Sequence, residues 1–141
     1  MEQTMLPEDP ITNDIIRAAV EVHRELGGPG LLESIYKGAL AWELEHAGHA
    51  VEREVPVPVL YKGTTLGDPL KIDLLVDRKI IVEAKAVSRN VPTFALQCNT
   101  YLRLARFRVG LVINFGLPRL VDGIERVVNK FLLGPDELAK P

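Results

Sequence analysis

The stretch KIDLLVDRKIIVEAKAV, residues 71–87, decides how this chain folds. Ile72 to Val76 is apolar apart from Asp73, and Ile80 to Val87 is apolar apart from Glu83 and Lys85. Asp77-Arg78-Lys79 between them supplies a turn, so two short paired strands are expected. Side chains alternate faces along a strand, which puts Glu83 and Lys85 on one face. With a three-residue loop, antiparallel pairing sets Asp73 opposite Glu83, their Cβ atoms about 5 Å apart. Two facing carboxylates beside an ammonium are costly to bury unpaired. A hard divalent cation held by Asp73 and Glu83 would relieve the repulsion. An ion pair between Lys85 and either acid on a solvated face would account for the same residues without a ligand.

Downstream, residues 88–92 read as a connection, followed by a helix over about 93–104 in which Ala95, Cys98, Leu102 and Ala105 can face a core. Gln97 and Tyr101 stand at i and i+4, on one face of that helix. Phe107 to Phe115, FRVGLVINF, is a continuous apolar run of the kind found in a strand covered on both sides, and Asn114 and Gly116 end it. Residues 120–128 read as a last strand and 130–141 as a tail.

Upstream, Val51, Arg53, Val55, Val57 and Val59 alternate with polar residues and prolines. The period predicts a strand, and Pro56 and Pro58 place it at an edge because each removes a ladder donor. Residues 61–67 continue as a turn and a short strand. A helix is expected over about 31–46, ended by Gly48, with Leu32, Ile35, Tyr36, Ala39, Leu40 and Leu44 as its apolar stripe and Trp42 on another face. Glu33 flanks that stripe; taken alone it is an ordinary first-turn glutamate favoured by the helix dipole. An earlier amphipathic helix runs from an N-cap at Thr12 to about Leu26, where Gly27-Gly28-Pro29-Gly30 breaks it. His23 near its end reads as a solvated or capping histidine, and residues 1–10, with two prolines and three acids, as a loose arm.

The chain has 141 residues, 47% apolar and 26% charged, which suits one globular domain spanning 1–141. A net charge of −2 does not advertise nucleic-acid binding, so such binding would rest on a local patch. Arg103, Arg106 and Arg108, with Lys37, Arg89 and Arg119, could form one, or be a solvated mixed-charge surface. The lone Cys98 and the absence of a basic-then-apolar leader point to a cytoplasmic protein. No apolar run approaches the roughly 20 residues a membrane span needs. His46 and His49 have no cysteine partners for a zinc site, and the glycines at 27–30 lie between helices rather than after a strand, unlike a nucleotide-binding loop.

Phosphodiester hydrolysis would use these residues well. It needs a metal to polarise phosphate and acidify water, and a cation to orient that water. Asp73, Glu83 and the backbone carbonyl of Ala84 offer oxygen ligands, Lys85 a cation on the same face, and Glu33 a further acid acting through water.

Several motifs together carry a resemblance. Gly30-Leu31-Leu32-Glu33-Ser34-Ile35-Tyr36 precedes Asp73 and Glu83-Ala84-Lys85, with VPVPVLYKG at 55–63, Gln97 and Tyr101 in the next helix, and LVINFG at 111–116. The chain resembles the PD-(D/E)XK nuclease superfamily and, within it, the small bacterial group of GxxExxY proteins, over about residues 12–128. The resemblance implies an α/β, restriction-endonuclease-like core, a central mixed β-sheet flanked by helices in the order αβββαβ. It implies Mg²⁺ or Mn²⁺ bound by Asp73 and Glu83, with Glu33 as the helical acid, Lys85 as the catalytic lysine and Gln97 as its polar support. Cleavage of DNA or RNA, as an endo- or exonuclease, follows, and a homodimer would suit cutting both strands. Phe94 and Ala95 stand where a polar pair is expected, and Ala84 is smaller than the usual residue between acid and lysine. A catalytically silent module that binds nucleic acid or a protein partner is the alternative, as is a buried ionic network that only specifies the fold.

Overall fold

The computed structural model describes residues 5–134. Its elements run α1 (Asp9–Glu25), α2 (Glu33–His46), β1 (Val51–Val57), β2 (Leu60–Tyr61), β3 (Thr64–Thr65), β4 (Leu70–Val76), β5 (Ile80–Lys85), α3 (Thr93–Ala105), β6 (Val109–Asn114) and β7 (Ile124–Val128). One 3₁₀ turn, Leu120–Gly123, precedes β7 and another, Lys130–Leu132, follows it. β2 and β3 form a small hairpin of their own; the other five strands make one sheet in the order β1-β4-β5-β6-β7. Only β5 and β6 are parallel, joined through α3 as a parallel crossover requires, so the sheet is mixed. This is the α/β, restriction-endonuclease-like architecture with its αβββαβ core. The strand β1 lies at the edge, where the donor missing at Pro56 costs least; Pro58, expected within it, lies just beyond its end.

Two apolar layers hold the sheet between helices. Ile15, Ala19 and Val22 of α1 and Tyr36, Leu40 and Leu44 of α2 pack on Leu74, Val82, Ala84, Leu111 and Ile113. On the other face Cys98, Tyr101 and Leu102 of α3 cover Leu75, Ile81 and Val112. All six residues of β6 are buried, as its unbroken apolar run requires of a strand covered on both sides. At Gly110 a Cβ would meet Cys98 Sγ at 2.6 Å, so the absent side chain is what lets α3 lie this close to the sheet.

Several expectations need correction. α1 begins at Asp9, three residues before the expected cap at Thr12, which is buried inside the helix. Pro10 sits in the first turn, where its missing N–H costs nothing. Asp9 accepts from the Leu6 N–H at 2.7 Å. The described part of the arm is not loose: Leu6 is buried, Arg108 donates twice to Glu8 at 2.8 and 2.9 Å, and Arg126 pairs with Asp9 at 2.9 Å. Residues 1–4 of the arm and 135–141 of the tail lie outside the described residues. His23 is buried rather than solvated, with Nε2 3.0 Å from the Leu117 carbonyl. On α2, Leu32 and Ile35 are exposed, and the packed stripe is Tyr36, Leu40, Ala41 and Leu44. The last strand is shorter than expected, residues 120–123 forming the 3₁₀ turn instead. Among the described residues no helix is long and apolar enough to cross a membrane.

Candidate functional site

The ladder between β4 and β5 pairs Val76 with Ile80, Leu75 with Ile81 and Leu74 with Val82, then stops. Continuing the count puts Asp73 opposite Glu83, but there the strands part. On the other side of β4 the pairing with β1 also skips one position, Asp73 against Glu54. Glu54 has φ 51°, a left-handed conformation uncommon for a non-glycine residue. The alternation of β4 breaks at the same place, since Ile72 and Leu75 both pack towards α3. Asp73 thus sits where the sheet opens, and its side chain replaces a missing ladder bond: Oδ2 accepts from the Ala84 N–H at 2.9 Å.

Glu83 lines this opening from β5. It is 3% exposed, and its Oε1 has no hydrogen-bond partner when ionised. Burial, reinforced by the charge of Asp73 and a hydrogen bond shared with it, pushes the Glu83 carboxyl up to about 9, against a smaller pull from Lys85. At neutral pH it therefore keeps its proton. Beneath it, burial and then the charge of Glu83 push the Cys98 thiol to about 12, which leaves that thiol inert.

Lys85 turns away from both acids. Its Nζ donates to Gln97 Oε1 at 3.0 Å and lies 5.1 Å from the centre of the Phe94 ring. Gln97 in turn donates to the Tyr101 hydroxyl at 3.3 Å. The i, i+4 spacing of Gln97 and Tyr101 thus becomes a short relay, and Phe94, which departs from the family's polar pattern, acts as a platform for the lysine. Burial, then the charges of Glu83 and Asp73, hold the Tyr101 phenol above its usual range.

The connection from Lys85 to α3 is held by Asn114, fully buried at the end of β6. Its Oδ1 accepts from the Val87 and Gly116 N–H groups at 3.1 and 3.0 Å, and its Nδ2 donates to Asn90 Oδ1 at 3.1 Å. Gly116 lies against the Val87 backbone, where any Cβ would collide.

Glu33, at the first position of α2, is exposed and makes no direct bond to the other four residues. Desolvation of its carboxyl, then the charge of Asp73, raise it, while Lys85 and Lys37 oppose the shift. Lys37, one turn further along α2, does reach Asp73: its Nζ is 3.4 Å from Asp73 Oδ1 and 2.6 Å from Glu54 Oε1. Burial lowers the Lys37 ammonium, but bonding to Glu54 and the charge of Asp73 outweigh it, and the net shift is upward. Lys37, Glu54 and Asn114 were not singled out from sequence as parts of this site. Lys37 stood only among surface cations, although its i, i+4 relation to Glu33 already placed both on one helix face. Tyr36 points the other way, stacking on Phe115 at 4.9 Å and tying the glycine-rich loop through the Gly28 carbonyl, 2.7 Å, and the Leu31 N–H, 3.1 Å.

Among the described residues no three His, Cys, Asp or Glu side chains converge on one point. The donor set nevertheless suits a hard cation: two carboxylates of different strands adjoin, and one holds a buried oxygen without a donor. The basic residues singled out as a possible patch, Arg103, Arg106, Arg108, Lys37, Arg89 and Arg119, do not gather here: of them Lys37 reaches the acids, and Arg108 is turned to Glu8.

A mixed sheet between helices, with acids at a fork of two strands and a lysine two residues beyond the second acid, is the architecture of a restriction-endonuclease-like protein. A family model described as the PD-(D/E)XK nuclease superfamily matches residues 9–127, and the chain belongs to that superfamily. No curated protein and no solved structure matches the chain.

Proposed function

We propose that this protein is a divalent-metal-dependent nuclease that hydrolyses phosphodiester bonds of DNA or RNA. The observation that carries the reading is the Glu83 carboxyl group, buried at the strand fork beside Asp73 with one oxygen lacking a hydrogen-bond partner. Asp73, Glu83 and the Ala84 carbonyl would hold Mg²⁺ or Mn²⁺, with Glu33 assisting through water. When bound, the metal supplies Lewis-acid polarisation of the phosphate and a water of lowered pKa. Lys85 orients the attacking water and stabilises the charge that develops on the phosphate. Gln97 and the Phe94 ring keep the Lys85 ammonium from collapsing onto the acids. Gly30, Glu33 and Tyr36 support placement in the GxxExxY group, and a homodimer would present one such site to each strand.

A second reading, a silent module that binds nucleic acid or a protein partner, is favoured by one feature. An ammonium already neutralises Asp73, and three acids do not converge.

Cleavage of plasmid DNA and of RNA with Mg²⁺ or Mn²⁺ separates the two. Wild type should cut at least one of them, and Lys85→Ala should be slower by about 10² or more, the usual loss of such a group. No cleavage by wild type, or equal cleavage by the variant, overturns the catalytic reading.

A further inference from the structure

Both oxygens of Asp73 already have partners. Its Oδ2 is taken by the Ala84 N–H at 2.9 Å, and its Oδ1 lies 3.4 Å from the Lys37 ammonium. Both side chains are largely shielded, Lys37 at 17% and Asp73 at 15% exposure, so this contact is weakly screened. A cation approaching Oδ1 therefore meets a positive charge already in place. The same ammonium has a second, shorter contact, 2.6 Å to Glu54, whose carboxylate is about half exposed. Glu54 reaches it from a left-handed backbone position at the one place where the pairing of β1 with β4 is interrupted. A non-glycine residue in this conformation is held there by the structure around it.

We infer that Lys37 is a resident counter-ion for Asp73 that competes with the divalent cation, and that Glu54 is the position to which Lys37 withdraws when metal binds. This rests on the proposed metal-binding role of Asp73 and Glu83, and it deepens that role. Two residues outside the superfamily's motif set how tightly the site takes its ion. Lys37 is here a positioning residue: it acts through Asp73, and Glu54 acts through Lys37. The Lys37 ammonium thus adds to the protonated Glu83 carboxyl in making the place of Asp73 tolerable without an ion. It also gives the chain a threshold, since metal must displace an ammonium before the acids can close around it.

The test is calorimetric titration of Mn²⁺ into the full chain, which reads affinity independently of cleavage. Lys37→Met should bind Mn²⁺ about two- to fivefold more tightly than wild type, the scale of one part-shielded ion pair. Glu54→Gln should bind more weakly by a similar factor, because Lys37 then keeps Asp73 as its one ion-pair partner within 4 Å among the described residues. In the Lys37→Met background Glu54→Gln should change nothing, since its effect passes through the lysine. Unchanged or weaker binding by Lys37→Met overturns the inference. So does an equal loss from Glu54→Gln in both backgrounds, which would make Glu54 act on the ion directly. Should Lys37→Met unfold, Lys37→Gln carries the same expectation without the charge. Asp73→Ala tests the underlying reading separately: undiminished Mn²⁺ binding there removes the metal site, and the inference with it. Binding by neither wild type nor Lys37→Met overturns both, whereas binding by Lys37→Met alone upholds the competition.

Discussion

Replacing Glu83 by glutamine probes the strand fork through stability rather than through cleavage. The side chain is 3% exposed, and its carboxyl is pushed up to about 9 by burial and by Asp73. An unfolded glutamate titrates near 4.3. Between those values the folded chain keeps a proton that the unfolded chain gives up. Folding is therefore penalised increasingly as pH rises, and stability present below about pH 4 is lost progressively up to about 9. The limiting slope is about 1.4 kcal/mol per pH unit, or about 4 kcal/mol between pH 5 and pH 8. Glutamine copies the shape of the protonated acid and cannot ionise. In urea denaturation with a chelator, Glu83→Gln should match wild type near pH 5 and exceed it by up to about 4 kcal/mol near pH 8. Mn²⁺ should narrow that gap by stabilising the wild type more, since it alone offers the Glu83 carboxylate beside Asp73. Parallel stability profiles for the two proteins from pH 5 to pH 8 would refute the reasoning, because Glu83 would then be no buried anion in waiting.

Two further outcomes follow from hydrogen bonds elsewhere. His49 links Asp77, 2.6 Å, to Asp14, 3.0 Å, and the bond to Asp77 leads the upward shift of its imidazolium against the effect of burial. Its contribution is complete below about pH 6.5 and is lost as pH rises through the elevated folded value, so His49→Gln should cost about 1 kcal/mol at pH 6 and less at pH 9 by chemical denaturation. Tyr36→Phe removes bonds to Gly28 and Leu31 but keeps the stack on Phe115. It should cost about 1–2 kcal/mol and speed amide exchange at Leu31.

Local pattern carried most of the architecture. The apolar run of β6 and the helical spacing of α3 each report a face buried by its own element, so they read directly from neighbours in sequence; the alternation expected over 51–57 does not, because the chain turns at Glu54 and leaves Val51 on the α1/α2 side and Val55 and Val57 on the α3 side. The three-residue turn, 77–79, set the register that brings Asp73 to the level of Glu83. What failed locally failed for distant reasons. The first helix starts at Asp9, where Arg108, just before β6, and Arg126 of β7, about a hundred residues away, pair with Glu8 and Asp9. Leu32 and Ile35 look like core residues by composition, yet the docking angle of α2 leaves them in solvent.

By itself, the sequence determined the α/β alternation, the edge position of the proline strand and the candidate set Glu33, Asp73, Glu83, Lys85 and Gln97. The first two follow from periodicity, a property of short windows, and the full candidate set from the resemblance to the nuclease superfamily. Only the tertiary structure decided where the charges come to rest. It parted β4 from β5 beyond Leu74, buried Glu83 without a donor, turned Lys85 to Gln97 and Phe94, and set Lys37 between Glu54 and Asp73. The energy of a charge depends on its burial and on the nearest opposite charge in space. In this protein those neighbours come from α2, β1 and α3, and no spacing along the chain encodes their meeting.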